Sequence, residues 1–214
     1  MKATLTSPPG AARRAVELDL AALRRRFSAG AAPPDMLYGD QGTRPAAAAS
    51  TPASVLVPIV ARSAELTVLF TRRTEQLRSH SGQIAFPGGR AEAHDPSAEA
   101  TALREAAEEI GLDAARVELL GRLSDYHTRT GFRVTPVVGV VSPPFELQPD
   151  AGEVDEVFEV PLSFLLDPRN HQIHSRELHG ATVRFFAIPY AEHYIWGATA
   201  GMLVNLYRFL ATGT

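Results

Sequence analysis

The stretch REAAEEIGL, residues 104–112, carries three carboxylates, Glu105, Glu108 and Glu109, at spacings i, i+3 and i+4. On a helix these positions share one face, where like charges cost about 0.2–0.5 kcal/mol per pair. A solvated acidic face would interleave cations among the glutamates, and here only Arg104 is available. Clustered hard oxygens suit Mg2+ or Mn2+, with waters and substrate phosphates completing the octahedron. Arg104 stands one turn before Glu108, where a charge-assisted bond would orient a carboxylate. Just upstream, Phe86-Pro87-Gly88-Gly89 permits unusual backbone angles and close approach of a ligand. Gly88 and Gly89 are therefore candidate substrate contacts.

These residues need a helix and a strand to hold them. Asp95 reads as the N-cap, Pro96 suits the first helical position, and Gly111 suits a left-handed C-terminus. The 3.6-residue period sets Leu103, Ala107 and Ile110 toward the core and the glutamates on the opposite arc. Apolar runs predict strands at Val55 to Val60, Leu66 to Phe70, Val117 to Leu123, Val134 to Val141, Val157 to Val160 and Val183 to Ile188. A short apolar piece spans Ile84 to Phe86, and a C-terminal helix is expected from about Trp196 to Leu210. Glu17 to Phe27 reads as an amphipathic helix. The Ala-, Pro-, Gly- and Ser-rich stretch 28–53 reads as an arm covering the domain. Strands dominate and no repeat occurs, so the expected class is α/β (α+β), a mixed sheet flanked by helices. Residues 1–52 are left unassigned, and 53–214 form the domain. His171 and His174 fit no metal-ligand spacing and are expected on a surface loop.

Composition narrows the functional classes. The 214 residues are 45% hydrophobic and 21% charged with a formal net charge of −3, which disfavours nucleic acid as the main partner. There is no cysteine, which removes disulfides, thiolate catalysis and zinc sites built on cysteine. No apolar stretch is long enough to span a bilayer, and no basic segment followed by an apolar run opens the chain. A soluble cytoplasmic protein without a membrane partner is expected.

Gly89 through Leu112 resembles the Nudix box, G-x5-E-x7-R-E-U-x-E-E-x-G-U with U aliphatic. The chain supplies Gly89, Arg104, Glu105, Glu108, Glu109, Gly111 and Leu112. It departs in having Asp95 for the first Glu and eight residues between Asp95 and Arg104. A second block, LFTRRTEQLRSHSGQIAFPGG (69–89), resembles the signature of the coenzyme A pyrophosphatase branch. The longer box, TGFRVTPVVG (130–139), DEVFEVPLSFLLDPRN (155–170) and YIWGATA (194–200) resemble that branch too. The likeness covers roughly residues 53–210 of the sequence.

The resemblance implies an α/β/α sandwich around a mixed sheet, with Glu105, Glu108 and Glu109 as ligands of Mg2+ or Mn2+. It implies hydrolysis of the coenzyme A pyrophosphate to adenosine 3′,5′-bisphosphate and 4′-phosphopantetheine. A carboxylate outside the box often serves as base or added ligand in this family, and Glu153 and Glu156 are the candidates. Arg72, Arg73, Arg78 and His80, clustered before the glycine turn, are candidate phosphate contacts. A homodimer is compatible with all of this. Two alternatives stay open: a Nudix hydrolase of ADP-ribose, dinucleotides or nucleoside triphosphates, and a non-catalytic nucleotide-binding module. The second is disfavoured because all three box glutamates are present.

Overall fold

The structure is a computed structural model that describes residues 18–30, 36–37, 39, 50–75, 81–178 and 181–211. Arg78, His80, Glu17 and most of the expected arm lie outside the described residues.

In chain order the described elements are α1 (Leu20–Ser28), β1 (Thr51–Ala61), β2 (Leu66–Arg73), β3 (Ile84–Ala85), β4 (Gly88–Arg90) and α2 (Ala98–Ile110). Next come β5 (Val117–Arg122), β6 (Tyr126–His127), β7 (Phe132–Val141), β8 (Val154–Pro161) and α3 (Leu162–Leu165). The chain finishes with β9 (Gln172–Leu178), β10 (Ala181–Tyr190), β11 (His193–Trp196) and α4 (Gly197–Ala211).

β1 organises the sheet. Its near-continuous apolar run is buried on both faces, as a central strand requires. On one side it pairs in parallel with β7, from Thr51 opposite Phe132 to Val60 opposite Val141. Its other edge is shared, antiparallel, by β2 at Ile59 to Ala61 and by β4 at Ala53 to Val55. The glycine turn thus ends in a short strand zipped to the start of β1. β3 and β8 flank β2, while β5 and β6 flank β7, giving the expected mixed sheet.

Each face of this sheet carries its own core. On one, Leu56, Val60 and Leu69 pack against Ala102, Ala106 and Ile110 of α2. On the other, Val57, Ile59, Val68 and Phe70 meet α1, α3 and α4 through Leu23, Leu165, Leu203 and Leu206. α4 is buried over most of its circumference, as its apolar composition dictates. The result is the α/β/α sandwich.

The structure corrects several expectations. β9, β10 and β11 form a separate three-stranded antiparallel sheet, of which only β10 was legible as an apolar run. His171 is buried rather than looped out: Nε2 donates to the Leu165 carbonyl at 2.8 Å, and the ring sits edge-on to Tyr207. His174 lies in β9, half-buried. Among the described residues, no helix is long and apolar enough to cross a membrane. α1 and residues 36–37 pack into the same core as the sheet, with Leu23 fully buried.

Candidate active site

Ser97, not Asp95, caps α2: its Oγ accepts from the Ala100 N–H at 3.2 Å. Gly111 closes the helix at φ 67°, and its N–H reaches the Ala106 and Ala107 carbonyls. Asp95 is released for other work. Its carboxylate accepts from the Glu92 N–H, from Thr101 Oγ1 and from two nitrogens of Arg104. The guanidinium holds that carboxyl far below the usual carboxylate range. Arg104 in turn reaches Glu108 at 2.8 Å, Glu105 at 3.0 Å and the Arg90 carbonyl at 3.0 Å. One side chain therefore ties α2 to β4 and gathers two of the box glutamates.

The helix is rotated from its expected setting. Thr101, Ala102, Ala106, Glu109 and Ile110 form the buried stripe, whereas Leu103 is only partly covered and Ala107 is exposed. The three glutamates consequently run from solvent to core, with side-chain exposures of 60% at Glu108, 17% at Glu105 and 4% at Glu109. Burial pushes Glu109 up to about 7, against the pull of Arg73 and the Gly88 N–H and with help from Glu153 and Glu105. Burial also raises Glu105, with Glu108 and Glu153 adding repulsion against Arg104.

The two glycines are explained by close approach. The Gly88 N–H donates to Glu109 at 3.2 Å, and a Cβ on Gly88 would lie 2.4 Å from the Ser54 carbonyl oxygen. A Cβ on Gly89 would lie 2.5–2.7 Å from the Glu105 carboxylate. The backbone of β4 is thus pressed against the acidic face of α2.

β2 delivers its last two arginines to different places. Arg73 Nη1 stands 3.2 Å from Glu109 and Nη2 3.9 Å from Glu153. Arg72 pairs with Asp155 at 2.9 Å and with Glu156 at 3.2 Å. The register of β2 on β8 shifts between these two residues, and successive strand residues point to opposite faces. Glu153, in the turn just before β8, is brought to Arg73 and the box carboxylates, whereas Glu156, opposite Arg72, is not. Both Glu156 oxygens are engaged elsewhere, by Arg72 and by His193. Asp155 and His193 escaped the sequence reading. His193 sits 37 residues from Glu156 in a strand with no local signal.

Among the described residues, no three His, Asp or Glu side chains already form a coordination shell. Arg104 and Arg73 occupy the carboxylates instead, acting as the counter-charges. The donor set nonetheless fits a hard divalent cation. It offers only carboxylate oxygens, and two of the groups, Glu105 and Glu109, are penalised for carrying charge by burial first and by neighbouring carboxylates second.

Residues 50–179 match the NUDIX domain model. Over 154 residues the chain is 42% identical to the uncharacterized Nudix hydrolase NudL of Photorhabdus laumondii, covering 72% of this chain and 82% of that protein. The NudL of Yersinia pestis is 41% identical over 156 residues, covering 72% and 77%. Among solved structures, the Nudix hydrolase RenU of M. smegmatis superposes with a TM-score of 0.53 at 18% identity, covering 77% of this chain and 88% of that one. A MutT/nudix family protein of Enterococcus faecalis gives 0.50 at 17% identity, covering 89% and 73%. These likenesses show the same fold. The chain belongs to the Nudix hydrolase family, and it is an enzyme of the pyrophosphohydrolase class.

Proposed function

We propose that this protein is a metal-dependent coenzyme A pyrophosphatase, with Glu105, Glu108 and Glu109 as the ligands of Mg2+ or Mn2+. The observation that carries the reading is the pair Arg72 and Arg73. Both end the strand whose sequence resembles the coenzyme A branch, yet they serve opposite faces of the sheet. Arg73, beside Glu109, would meet the reacting pyrophosphate, and Arg72 would meet a phosphate further out. Coenzyme A carries both groups.

The bound cation would supply charge neutralisation on the phosphates and a nucleophile available at neutral pH. The chain's own residues do the rest. Arg104 and Asp95 fix Glu105 and Glu108 from behind. The Gly88 N–H fixes Glu109, and Arg73 offers guanidinium donors to the phosphates once the ligand pulls it from Glu109. Glu153, at the rim and facing the same carboxylates, is the candidate base. Gly88 and Gly89 let the substrate approach the backbone. Arg78 and His80 are retained as candidate phosphate contacts. The reading places the enzyme in the cytoplasm, acting on a small-molecule nucleotide rather than on nucleic acid or a membrane, and a homodimer is compatible with it.

A panel of coenzyme A, its thioesters, dephospho-coenzyme A, ADP-ribose, NADH and deoxynucleoside triphosphates tests the substrate. A well-oriented charge-assisted contact contributes about 1.5–3 kcal/mol, so coenzyme A should exceed dephospho-coenzyme A by at least about tenfold in kcat/KM. The products should be adenosine 3′,5′-bisphosphate and 4′-phosphopantetheine. Faster turnover of ADP-ribose than of coenzyme A would overturn the substrate and leave the family intact.

A further inference from the structure

Glu156 is clamped from two sides. Its Oε2 lies 3.2 Å from Arg72 Nη1, and its Oε1 lies 3.2 Å from His193 Nε2. A carboxylate oxygen can only accept here, so Nε2 carries the hydrogen and donates. That leaves His193 Nδ1 buried with no hydrogen-bond partner. Such an atom is costly and needs a reason.

The ring is otherwise fixed by stacking. It lies on Phe158 with centroids 3.6 Å apart and planes 12° from parallel. Phe158 stacks on Phe70 at 5.7 Å, and Phe70 on Phe86 at 5.1 Å. An aromatic column thus runs from the residue before Pro87 to the second sheet, and His193 is its last member. Phenylalanine would complete the column without donating, and asparagine would donate without stacking. Histidine does both, at the expense of an unmet Nδ1.

The chain of contacts leads outward. His193 is 9% exposed at its side chain, Glu156 33% and Arg72 41%. Arg72 donates to Asp155 and forms an ion pair with Glu156, which leaves further N–H donors of its five for a ligand. A long arginine held in one geometry loses less freedom when an anion arrives.

We propose that His193 is a positioning residue which, through Glu156, holds Arg72 as a preformed clamp for a peripheral phosphomonoester of the substrate. This rests on the reading that Arg72 contacts a substrate phosphate. The reacting pyrophosphate belongs to Arg73 and the box, on the other face.

Equilibrium binding to the full-length protein tests this apart from turnover. The probes are adenosine 3′,5′-bisphosphate and 5′-AMP, which differ by the peripheral phosphate alone. The wild type should bind the bisphosphate at least about tenfold more tightly. His193→Phe, which keeps the stack and removes the donor, should shrink that ratio to within about threefold, with 5′-AMP affinity unchanged and Tm at or above wild type. His193→Gln, which restores a donor, should recover most of the ratio. Arg72→Ala should abolish it, and Arg72→Ala with His193→Phe should be no worse than Arg72→Ala alone. If His193→Phe does not fold, Glu156→Gln reads the same link and should shrink the ratio similarly. No bisphosphate preference in the wild type, equal weakening of both probes, or additive effects of the two substitutions would each overturn the proposal. Failure of the coenzyme A reading appears instead in the turnover panel.

Discussion

Asp95 and Arg104, nine residues apart, are joined through both carboxylate oxygens: Nε lies 3.1 Å from Oδ1 and Nη2 3.0 Å from Oδ2. The same guanidinium grips Glu105 and Glu108, so the aspartate sets the position of two box glutamates without touching either. Asp95→Asn should lower metal affinity or activity by about 10–100-fold, the range for groups that orient ligands. It should also lower Tm, since Arg104 and the Glu92 N–H lose a charged acceptor. Mg2+ titrations of activity and a thermal melt check both; wild-type values would show that Arg104 needs no such support.

Gly89→Ala should separate stability from activity. The backbone at Gly89 is not in the left-handed region, so alanine itself is acceptable there. The atoms nearest its Cβ would be the carboxylate end of the Glu105 side chain. That carboxylate can swing aside at little cost to the fold, but the swing moves it off the acidic face. The expected result is a nearly unchanged Tm with kcat lower by about 100-fold or more. An active Gly89→Ala variant would mean that Glu105 works from another position.

Glu109→Gln removes the most buried carboxylate of the set. Turnover should fall by at least about 100-fold, the upper end of what outer partners cost. In metal-free buffer Tm should hold or rise, because burial penalises the charge. Mg2+ or Mn2+ at about 100 times its Kd should stabilise the wild type by about 2.7 kcal/mol, or about 5–10 °C in Tm. The variant should lose most of that gain. Equal metal-induced shifts in both proteins would remove Glu109 from the ligand set.

Glu153→Gln should behave differently, binding metal almost normally while losing about 10²–10⁴-fold in rate, as for a general base. Glu156→Gln should lose far less rate, because that carboxylate is turned to Arg72 and His193. Reversed outcomes would exchange the two roles.

Much of this was legible in advance because the signals are local. The helix with its glycine terminus, the glutamate spacing and the apolar strands all follow from neighbours in sequence. The rotation of α2 was not legible. Leu103 and Ala107 suit a core-facing stripe as well as Ala102 and Ala106 do, and only the packing of the second pair with Leu56, Val60 and Leu69 tells them apart. Nor does Gln172–Leu178 betray a strand, with polar residues at most positions; its identity comes from pairing with β10. Asp95 reads as a cap because aspartate is good at it, yet Arg104 offers it a charged partner and Ser97 takes the cap. Glu153 and Glu156 look equivalent in the sequence, and what separates them is that Glu153 ends a turn beside Arg73 while Glu156 lies in β8 opposite Arg72.

The partly exposed pair of Glu99 and Arg122 gives a pH signature away from the box carboxylates. Arg122 holds Glu99 down to about 2, from an ordinary 4.5. A carboxylate lowered on folding stabilises fully above its unfolded value and loses that contribution as pH falls through its folded one. Glu99→Gln should therefore be less stable than wild type at pH 7, by no more than about 1 kcal/mol for so exposed a pair. The gap should close between about pH 4.5 and pH 2, as read from urea unfolding. A constant gap across that range would show that the pair contributes packing rather than charge.

Asn205, fully buried on α4, answers both polar groups of Leu37 as a neighbouring strand would, donating to its carbonyl and accepting its N–H, each at 2.8 Å. The two residues stand 168 positions apart, so this clasp joins the earliest and latest parts of the described chain. During synthesis the box helix and its sheet emerge well before α4, and although Arg24 of α1 can already pair with Glu118 of β5, the Leu37 backbone lacks Asn205 until that helix arrives. A chain cut short before α4 would leave both polar groups of Leu37 without this clasp, so damage at the late end would be felt near the start.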